Sequence, residues 1–406
     1  MKVKFQVRHF NVRFGSRKNH VFKPFSGRNS TYSYSNTSNL KDYGNALIVS
    51  KLSGYEFERH RNSDMTPDDL RQKLIRRGTD FDRLIKSHDN HKKYESDMVQ
   101  SLEKSGFKVK VVNSLNYNDD SVNWADIVFP TGGDGTFLLA AGRVRTNSMP
   151  VIGFNSSPAR SEGRLCLPKS YSYNIEKAIE KLRAGQFEWL RRSRIRVTIT
   201  GETQDIVSTP LYVLRDQVSF KPSQYRIEKG SKLIPHLALN EVFIGETLSA
   251  RVSNLELWLD KSNESTTIKC SGLCISTGTG STSWHLSMNR LPAQTVETLL
   301  TLLHYPEPER TEKARQLCKM YNDALIFNAT ETRLAYTIRE NICLGVWPQG
   351  RDIKRRGFVD TMKVKSKCFD AALVVDGGIS YEFNDGTIAE LSVLPEDALL
   401  TVKIFE

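Results

Sequence analysis

Apolar residues along the first half of the chain recur with two spacings, and each spacing predicts an element. ALIVSK (46–51) predicts a first strand. After a linker, Thr66 as N-cap, Pro67 at the first helical position, Asp68 and Asp69 in the first turn and Gly78 at the end predict a helix. Tyr94, Met98 and Leu102 recur every four residues and predict a second helix over 91–105, closed by Gly106. FKVKVV (107–112) predicts a strand. Ile127, Val128 and Phe129, and then PVIGFN (150–155), read as strands covered on both faces. This β-α-β-α-β order predicts a parallel, doubly wound sheet with ligands at the carboxyl ends of its strands. YNIEKAIEKLRAG (173–185) is amphipathic, with Ile175, Ala178, Ile179 and Leu182 facing inward, and reads as a connector.

From about residue 190 the period shortens to two. RIRVTIT (194–200) and LELWLD (255–260) alternate, so the second half is predicted to be β-rich. Residues 202–233 are polar and irregular, as an insertion or hairpin would be. Residues 288–330 read as a helical excursion centred on LPAQTVETLLTLLH, and 348–366 as a basic loop. The organisation expected is a leader over 1–41, an α/β domain over 42–190, a β-rich domain with a helical insertion over 191–375, and a segment over 376–406 that completes the fold.

A chain of 406 residues can bury two cores. Its net charge of +12 changes meaning once located. Residues 1–41 hold nine Lys or Arg and no Asp or Glu, so the rest carries only +3. That leaves no basic face of the kind nucleic acid requires. The acid-free, Ser- and Tyr-rich start has the composition of a mitochondrial presequence, a disordered basic tail being the alternative. No apolar run reaches membrane-spanning length, so stable membrane insertion is not expected. Cysteines 166, 270, 274, 318, 343 and 368 lack metal-site spacing and read as reduced, mostly buried thiols. There is no HExxH and no GxxxxGK[ST].

Three stretches carry chemistry. In the first, Gly132, Gly133 and Gly135 crowd around Asp134 between a buried strand and an apolar helix that Thr136 could cap. Glycines admit unusual backbone angles and let a ligand lie on the main chain, and a helix N-terminus attracts phosphate. A passive phosphate site would not place a carboxylate there. A kinase would, to accept a proton from the attacking hydroxyl or to hold a metal ion against the phosphates. An Asx bond in a tight turn is the alternative. Asn155 ends the next strand at the same edge of the predicted sheet. The loop after it carries Arg160, Glu162 and Arg164, as a clamp or as solvated charge.

In the second, Asn240 and Glu241 interrupt the apolar segment LALNEVFIGE (237–246). Each needs a partner if buried: a purine edge and ribose hydroxyls, or each other. In the third, CSGLCISTGTGSTSWHLS (270–287) combines small residues, hydroxyls and Trp284, which suits close approach to a nucleotide with the indole on a base; a surface loop is the alternative. The cluster Arg191, Arg192, Arg194 and Arg196 lies on an alternating strand and reads as a solvated face more readily than as an anion site.

Together these motifs resemble the NAD kinase family, in particular its mitochondrial-type branch. The resemblance runs from about residue 44 to the C-terminus. Gly132–Thr136 match its GGDGT signature and Asn240–Glu241 its NE motif. TGTGSTSW (277–284) matches its TPTGSTAY loop, and VVDGGISYEFNDG (374–386) its late DGQ-type turn. The resemblance implies an α/β domain and a β-rich domain, the fold shared with diacylglycerol-type lipid kinases. It implies transfer of the ATP γ-phosphoryl group to the 2′-hydroxyl of the adenosine ribose of NAD. Asp134 would be the base. Gly132, Gly133, Gly135 and Thr136 would face the phosphates, and Asn240 and Glu241 would hold one end of the dinucleotide. Thr279, Thr282, Ser283, Trp284 and Ser287 would line the other side. Mg²⁺ would travel with ATP rather than sit in a protein metal site. A homodimer or higher oligomer in the mitochondrial matrix is implied as well.

The sequence departs from the family at Ser271, where Asp is usual, at Leu167, where Phe is frequent, and at Gly278, where Pro is usual and where a softer loop is therefore expected. Two other readings share features with this one. A lipid kinase would share GGDG, but predicts an acyl channel and membrane contact and lacks the other two motifs. A non-catalytic NADP(H)-sensing protein would keep the pocket without needing Asp134.

Overall fold

The fold is that of a computed structural model, which describes residues 40, 43–201, 206–211, 226–227, 230–342 and 353–404. The leader expected over 1–41 and most of the irregular stretch 202–233 lie outside these residues, as does Cys343. The first half runs β1 (Asn45–Ser50), α1 (Gly54–Arg61), α2 (Pro67–Arg76), α3 (Phe81–Lys104), β2 (Lys108–Asn113), α4 (Asp119–Trp124), β3 (Ile127–Thr131), α5 (Asp134–Ala141), α6 (Lys169–Tyr173), α7 (Ile175–Arg183) and β4 (Glu188–Arg192). Strand β1 lies between β2 and β3, parallel to both. Residues 150–154 extend the sheet beyond β3, with Ile152 and Phe154 donating their N–H groups to Val128 and Pro130.

Both faces of β1 and β3 are covered, which is why these strands read as apolar runs, whereas β2 at the edge alternates Lys with Val and is largely exposed. Ala46 and Ile48 pack with Met98, Leu102, Ala178 and Leu182 of α3 and α7. Leu47 and Val49, one residue out of phase, pack with Val122, Phe137 and Ala140 on the other side. Thr66 caps α2 as predicted, accepting from the Asp69 N–H. All four inward positions predicted for α7 are buried.

Three local expectations need correction. The linker after β1 contains α1, started by a capping box in which Ser53 and Glu56 bond each other's backbone N–H. Helix α1 buries no residue, so it leaves no apolar stripe to read. Helix α3 begins at Phe81, capped by Asp80, ten residues before the predicted start; polar His91 and Ser101 share its buried face and break the pattern. Packing also begins before Tyr43: Leu40 is fully buried in the α/β core, and its carbonyl accepts from Arg183 Nη1.

The second half runs β5 (Ile195–Gly201), β6 (Ile206–Pro210), β7 (Arg226–Ile227), β8 (Gly230–Leu233), β9 (Glu241–Glu246), β10 (Ser253–Leu259), β11 (Thr266–Cys270), β12 (Gly272–Ser276), α8 (Trp284–Asn289), α9 (Ala293–Leu302), α10 (Glu309–Asp323), β13 (Leu334–Arg339), β14 (Arg356–Val359), β15 (Thr361–Ser366), β16 (Ala371–Val375), β17 (Ile379–Glu382), β18 (Ile388–Val393) and β19 (Leu399–Lys403). Among the described residues the strands form two antiparallel sheets, ordered β11-β10-β15-β18-β5-β8 and β14-β13-β12-β9-β16-β17-β6-β7. Alternate residues of each, such as Ile195, Val197 and Ile199 from one and Val242, Ile244 and Leu273 from the other, fill one core. The stretch expected to be a basic loop contributes β14 and β15. Met362 and Val364 point inward and Lys363 and Lys365 outward, so the basic residues are the solvated face of an ordinary strand. The helical excursion is the pair α9 and α10.

The last strand crosses back. Strand β19 pairs antiparallel with β4, and Leu400 accepts from the Val151 N–H, so the C-terminus extends the parallel sheet of the first half. Arg194 fixes this crossing and is no solvated residue: it is 1% exposed. Its Nε donates to the Asp397 carbonyl and its Nη1 to the Val144 carbonyl. Arg196 holds the Asp397 carboxylate at both oxygens, at 2.6 and 2.7 Å. Hydrogen bonds to a charged group contribute about 1.5–3 kcal/mol each. Replacement of Arg194 by Met should lower the unfolding free energy by about 3–6 kcal/mol through the two lost bonds. Urea denaturation measures this, and an unchanged midpoint would refute the crossing as described.

Candidate active site

The glycine loop joins β3 to α5 and uses its glycines for close approach rather than for unusual angles. Gly133 is extended, and none of Gly132, Gly133 and Gly135 has positive φ. At Gly132 a Cβ would sit 2.3 Å from Thr136 Oγ1, so the loop closes only with glycine there. At Gly135 an added Cβ would meet nothing within 4 Å, which leaves that face of the backbone open to a ligand. Thr136 is inside α5 and does not cap it. The N-cap is Gly133, without a side-chain cap bond, and its carbonyl accepts from both Thr136 and Phe137. The first turn of α5 therefore presents uncapped N–H groups.

Asp134 is the first residue of α5 and is partly exposed. Its carboxylate is steered by the loop after Asn155: Oδ1 accepts from the Leu165 N–H at 2.9 Å and Oδ2 from the Arg164 N–H at 3.1 Å. Asn155 builds that loop. It is 1% exposed; its Oδ1 accepts from Ser157 N and Ser161 Oγ, and its Nδ2 donates to the Ser161 carbonyl. Gly163, at φ +61°, passes so close that a Cβ would lie 2.5 Å from that amide nitrogen. The structure thus places Asn155 beneath the loop. Arg164 and Arg160 are exposed there, paired with Glu162 and Ser87.

Asn240 and Glu241 lie at the turn into β9, held from below by Asp376. The Asp376 carboxylate accepts from the backbone N–H groups of Leu239, Asn240 and Glu241 at 2.7, 2.7 and 3.0 Å. Burial pushes its pKa up to about 6, with those bonds and Arg194 opposing. The two motif side chains do not bond each other. Glu241 is 8% exposed, and its buried Oε2 has no hydrogen-bond partner among the described residues. Burial, with Asp376 adding to it, pushes the Glu241 pKa up to about 8.

The hydroxyl-rich turn is wedged onto this one. Thr277 donates to the Leu239 carbonyl, and the Thr277 N–H donates to the Asn240 carbonyl. A Cβ on Gly280 would come within 2.1 Å of that same carbonyl oxygen. Gly278 does not soften the loop: a Cβ there would overlap the Asn328 backbone at 1.7 Å, so glycine permits tight packing. Several hydroxyls close the turn on itself. Thr282 donates to the Thr279 carbonyl and Ser287 to that of Ser283, whose own residue leads into α8. Trp284 stacks on Phe243 at 4.4 Å, so one indole face is already covered. Where the family usually has Asp, Ser271 pairs with Glu340.

One residue missed as functional joins the motifs. Arg192, at the end of β4, donates from Nη1 to Thr279 Oγ1 at 3.3 Å. It also lies in the field of Asp134: burial lowers the guanidinium pKa, and Asp134 and Cys166 oppose this. The sheet edge forks here, since residues 150–154 bond β19 at their start and Cys166–Leu167 at their end. The fork leaves a cleft of about 400 Å³ lined by Leu165, Cys166, Arg192, Asn328 and Lys403, among others. Among the described residues no cluster of three His, Cys, Asp or Glu side chains is placed to hold a metal ion, and no helix is long and apolar enough to cross a membrane.

A carboxylate at an uncapped helix start, a hydroxyl-rich turn and a buried amide–carboxylate pair are the motifs of a phosphotransferase of the GGDG type, and the relatives of the chain bear out that class. No protein-family model matches the chain. Curated relatives do. It is 38% identical to NAD kinase 2, mitochondrial, of Rattus norvegicus, over 88% of this chain and 86% of the relative. It is also 38% identical to the Homo sapiens protein of that name, over 88% and 84%. The solved structure of yeast NADH kinase with NADH superposes at a TM-score of 0.51 and 14% identity, covering 90% of this chain and 85% of that one, which shows the shared fold. The chain belongs to the NAD kinase family.

Glu241 gives the site a pH signature. It holds its proton to about pH 8 in the fold but only to its ordinary value of 4.5 when unfolded. Its contribution to stability is thus complete below pH 4.5 and is lost as pH rises through 8. The steepest slope is about 1.4 kcal/mol per pH unit. Glu241→Gln stays neutral and should show a flatter decline in melting temperature from pH 5.5 to 8.5. Parallel curves for the two proteins would refute the buried, protonated carboxyl.

Proposed function

We propose that the protein phosphorylates NAD with ATP at the 2′-hydroxyl of the adenosine ribose, with Asp134 as the general base. The observation that carries this reading is the Asp134 carboxylate, aimed by two loop amides beside the open face of Gly135. Phosphoryl transfer is mainly positioning and charge neutralisation, and a base adds about 10²–10⁴-fold. The uncapped start of α5, with Gly132, Gly133, Gly135 and Thr136, receives the phosphates. The unpartnered Glu241 Oε2, with Asn240, takes ribose hydroxyls and a base edge of the dinucleotide. Thr279, Thr282, Ser283, Trp284 and Ser287 form the facing wall. Asn155 serves through the loop it organises.

Asp134 is the single acid of the glycine loop, so the donor set suits a Mg²⁺ ion carried by ATP oxygens better than one caged by protein. When bound, the ion neutralises phosphate charge. Two further parts of the proposal concern assembly and compartment. A homodimer is supported by the exposed Leu299, Leu302 and Leu303 on one side of α9, an apolar surface for a second copy to cover. The matrix is supported by the acid-free basic start and by relatives named mitochondrial. Sedimentation at single-chain mass would remove the first. Failure of a reporter carrying residues 1–41 to enter isolated mitochondria would remove the second.

The central test follows NADP formation from NAD, ATP and Mg²⁺ by the purified protein. Asp134→Asn should lower kcat by about 10²–10⁴-fold with the fold intact. Gly135→Ala, whose new methyl has free space in the protein, should keep the melting temperature and raise the KM for ATP. Full activity in Asp134→Asn would refute the base. Binding of NAD without turnover by the native protein would favour a sensor.

A further inference from the structure

Arg192 is a half-buried cation without an anion among the described residues. Its Nε is inaccessible and unbonded, and its one side-chain hydrogen bond among the described residues goes from Nη1 to the neutral Thr279 hydroxyl. No carboxylate pairs with it there, whereas the neighbouring Arg194 and Arg196 are bonded to carbonyls and to Asp397. Drawing a charge out of water without a counter-charge is costly, and a ligand anion at this point would supply the missing partner.

The position says which ligand. Arg192 bonds Thr279 of the hydroxyl-rich turn and lines one cleft with Cys166, whose Sγ lies 3.9 Å from the Gly132 carbonyl of the glycine loop. It lines the cleft at the sheet fork together with Leu165, whose own N–H holds Asp134 Oδ1. An anion that reaches both Asp134 and Thr279 therefore passes the guanidinium. A carboxylate ligand at this point would face Asp134 with nothing to react with, whereas a phosphoryl group beside a general base is a reactant.

We propose that Arg192 is a catalytic residue that donates N–H bonds to the phosphoryl group in transit, resting on the NAD kinase reading above. The ribose 2′-oxygen bonds to the γ-phosphorus as the bond from phosphorus to the β,γ-bridging oxygen breaks. The hydroxyl proton goes to Asp134, and ADP leaves with the bridging electron pair. Arg192 neither gains nor loses a proton. Its fixed charge faces the equatorial oxygens, where negative charge is spread in the transition state, and Thr279 keeps the guanidinium from turning away. Planar Arg meets two phosphoryl oxygens at once, which Lys does not.

The test measures initial rates over ranges of ATP and NAD for the native protein, Arg192→Lys and Arg192→Ala, with melting temperatures for each. The expected result is a kcat lower by about 10²–10³-fold in Arg192→Ala, the KM for NAD nearly unchanged, and Arg192→Lys between the two. Added guanidinium ion should restore part of kcat in Arg192→Ala and none in Asp134→Asn, which a merely structural role would not produce. A kcat near native in Arg192→Ala overturns the assignment. So does a loss that follows melting temperature, appears equally in Arg192→Lys and resists guanidinium. A native protein that makes no NADP would instead refute the NAD kinase reading itself.

Discussion

One buried guanidinium ties the two halves of this molecule together. Arg194 donates to a carbonyl after α5 and to a carbonyl just before β19, while its charge favours the ionised form of Asp376. Burial pulls its own pKa down to about 10, so the contact is held against a desolvation cost. Two crossings depend on it. The chain leaves the parallel sheet beside Arg194 and returns through Asp397 into β19, which completes that sheet. Asp376, within the same electrostatic group, holds the turn that presents Asn240 and Glu241.

The site is built by backbone at close range. Three glycines act because a Cβ has no room: Gly132 against Thr136, Gly278 against Asn328 and Gly280 against Asn240. Such contacts bring loops from distant parts of the chain within hydrogen-bonding distance of one another. They also explain why many hydroxyls of the third motif bond carbonyls in their own turn. Those bonds satisfy polar groups that the tight packing removes from water. Glu241 Oε2 and Arg192 Nε are among the buried polar atoms left without a partner, and they are the two that the proposed dinucleotide and phosphoryl group would meet.

The Asp134 carboxylate follows the same logic. Asp134 could cap its own helix or swing into solvent, yet both oxygens are fixed by amides of residues 164 and 165, thirty residues away. Asn155 and Gly163 shape that loop, so an alteration at either would reach Asp134 without touching it.

Much of this was legible in the chain. Buried parallel strands announce themselves as apolar runs, and the strand–glycine–helix passage around Asp134 carries its chemistry in the residue types. So do the polar pair in LALNEVFIGE and the hydroxyl-rich turn before Trp284. What misled were positions whose meaning depends on a partner far along the chain. Arg192, Arg194 and Arg196 look alike in the sequence, but one bonds the hydroxyl-rich turn, one is sunk between halves and one pairs with Asp397. Asp376 reads as an ordinary turn aspartate until the amides of 239–241 are brought above it. Lys363 and Lys365 looked like loop because charge hid a strand period carried by Met362 and Val364. Helix α1 left no stripe because it buries nothing. The sequence by itself determined the local periods, the glycine turns and the inventory of chemical groups, since these follow from neighbouring residues. Only the tertiary structure decided which charges lost their water and which found a counter-charge, because desolvation and pairing are set by atoms that packing, not chain order, makes neighbours.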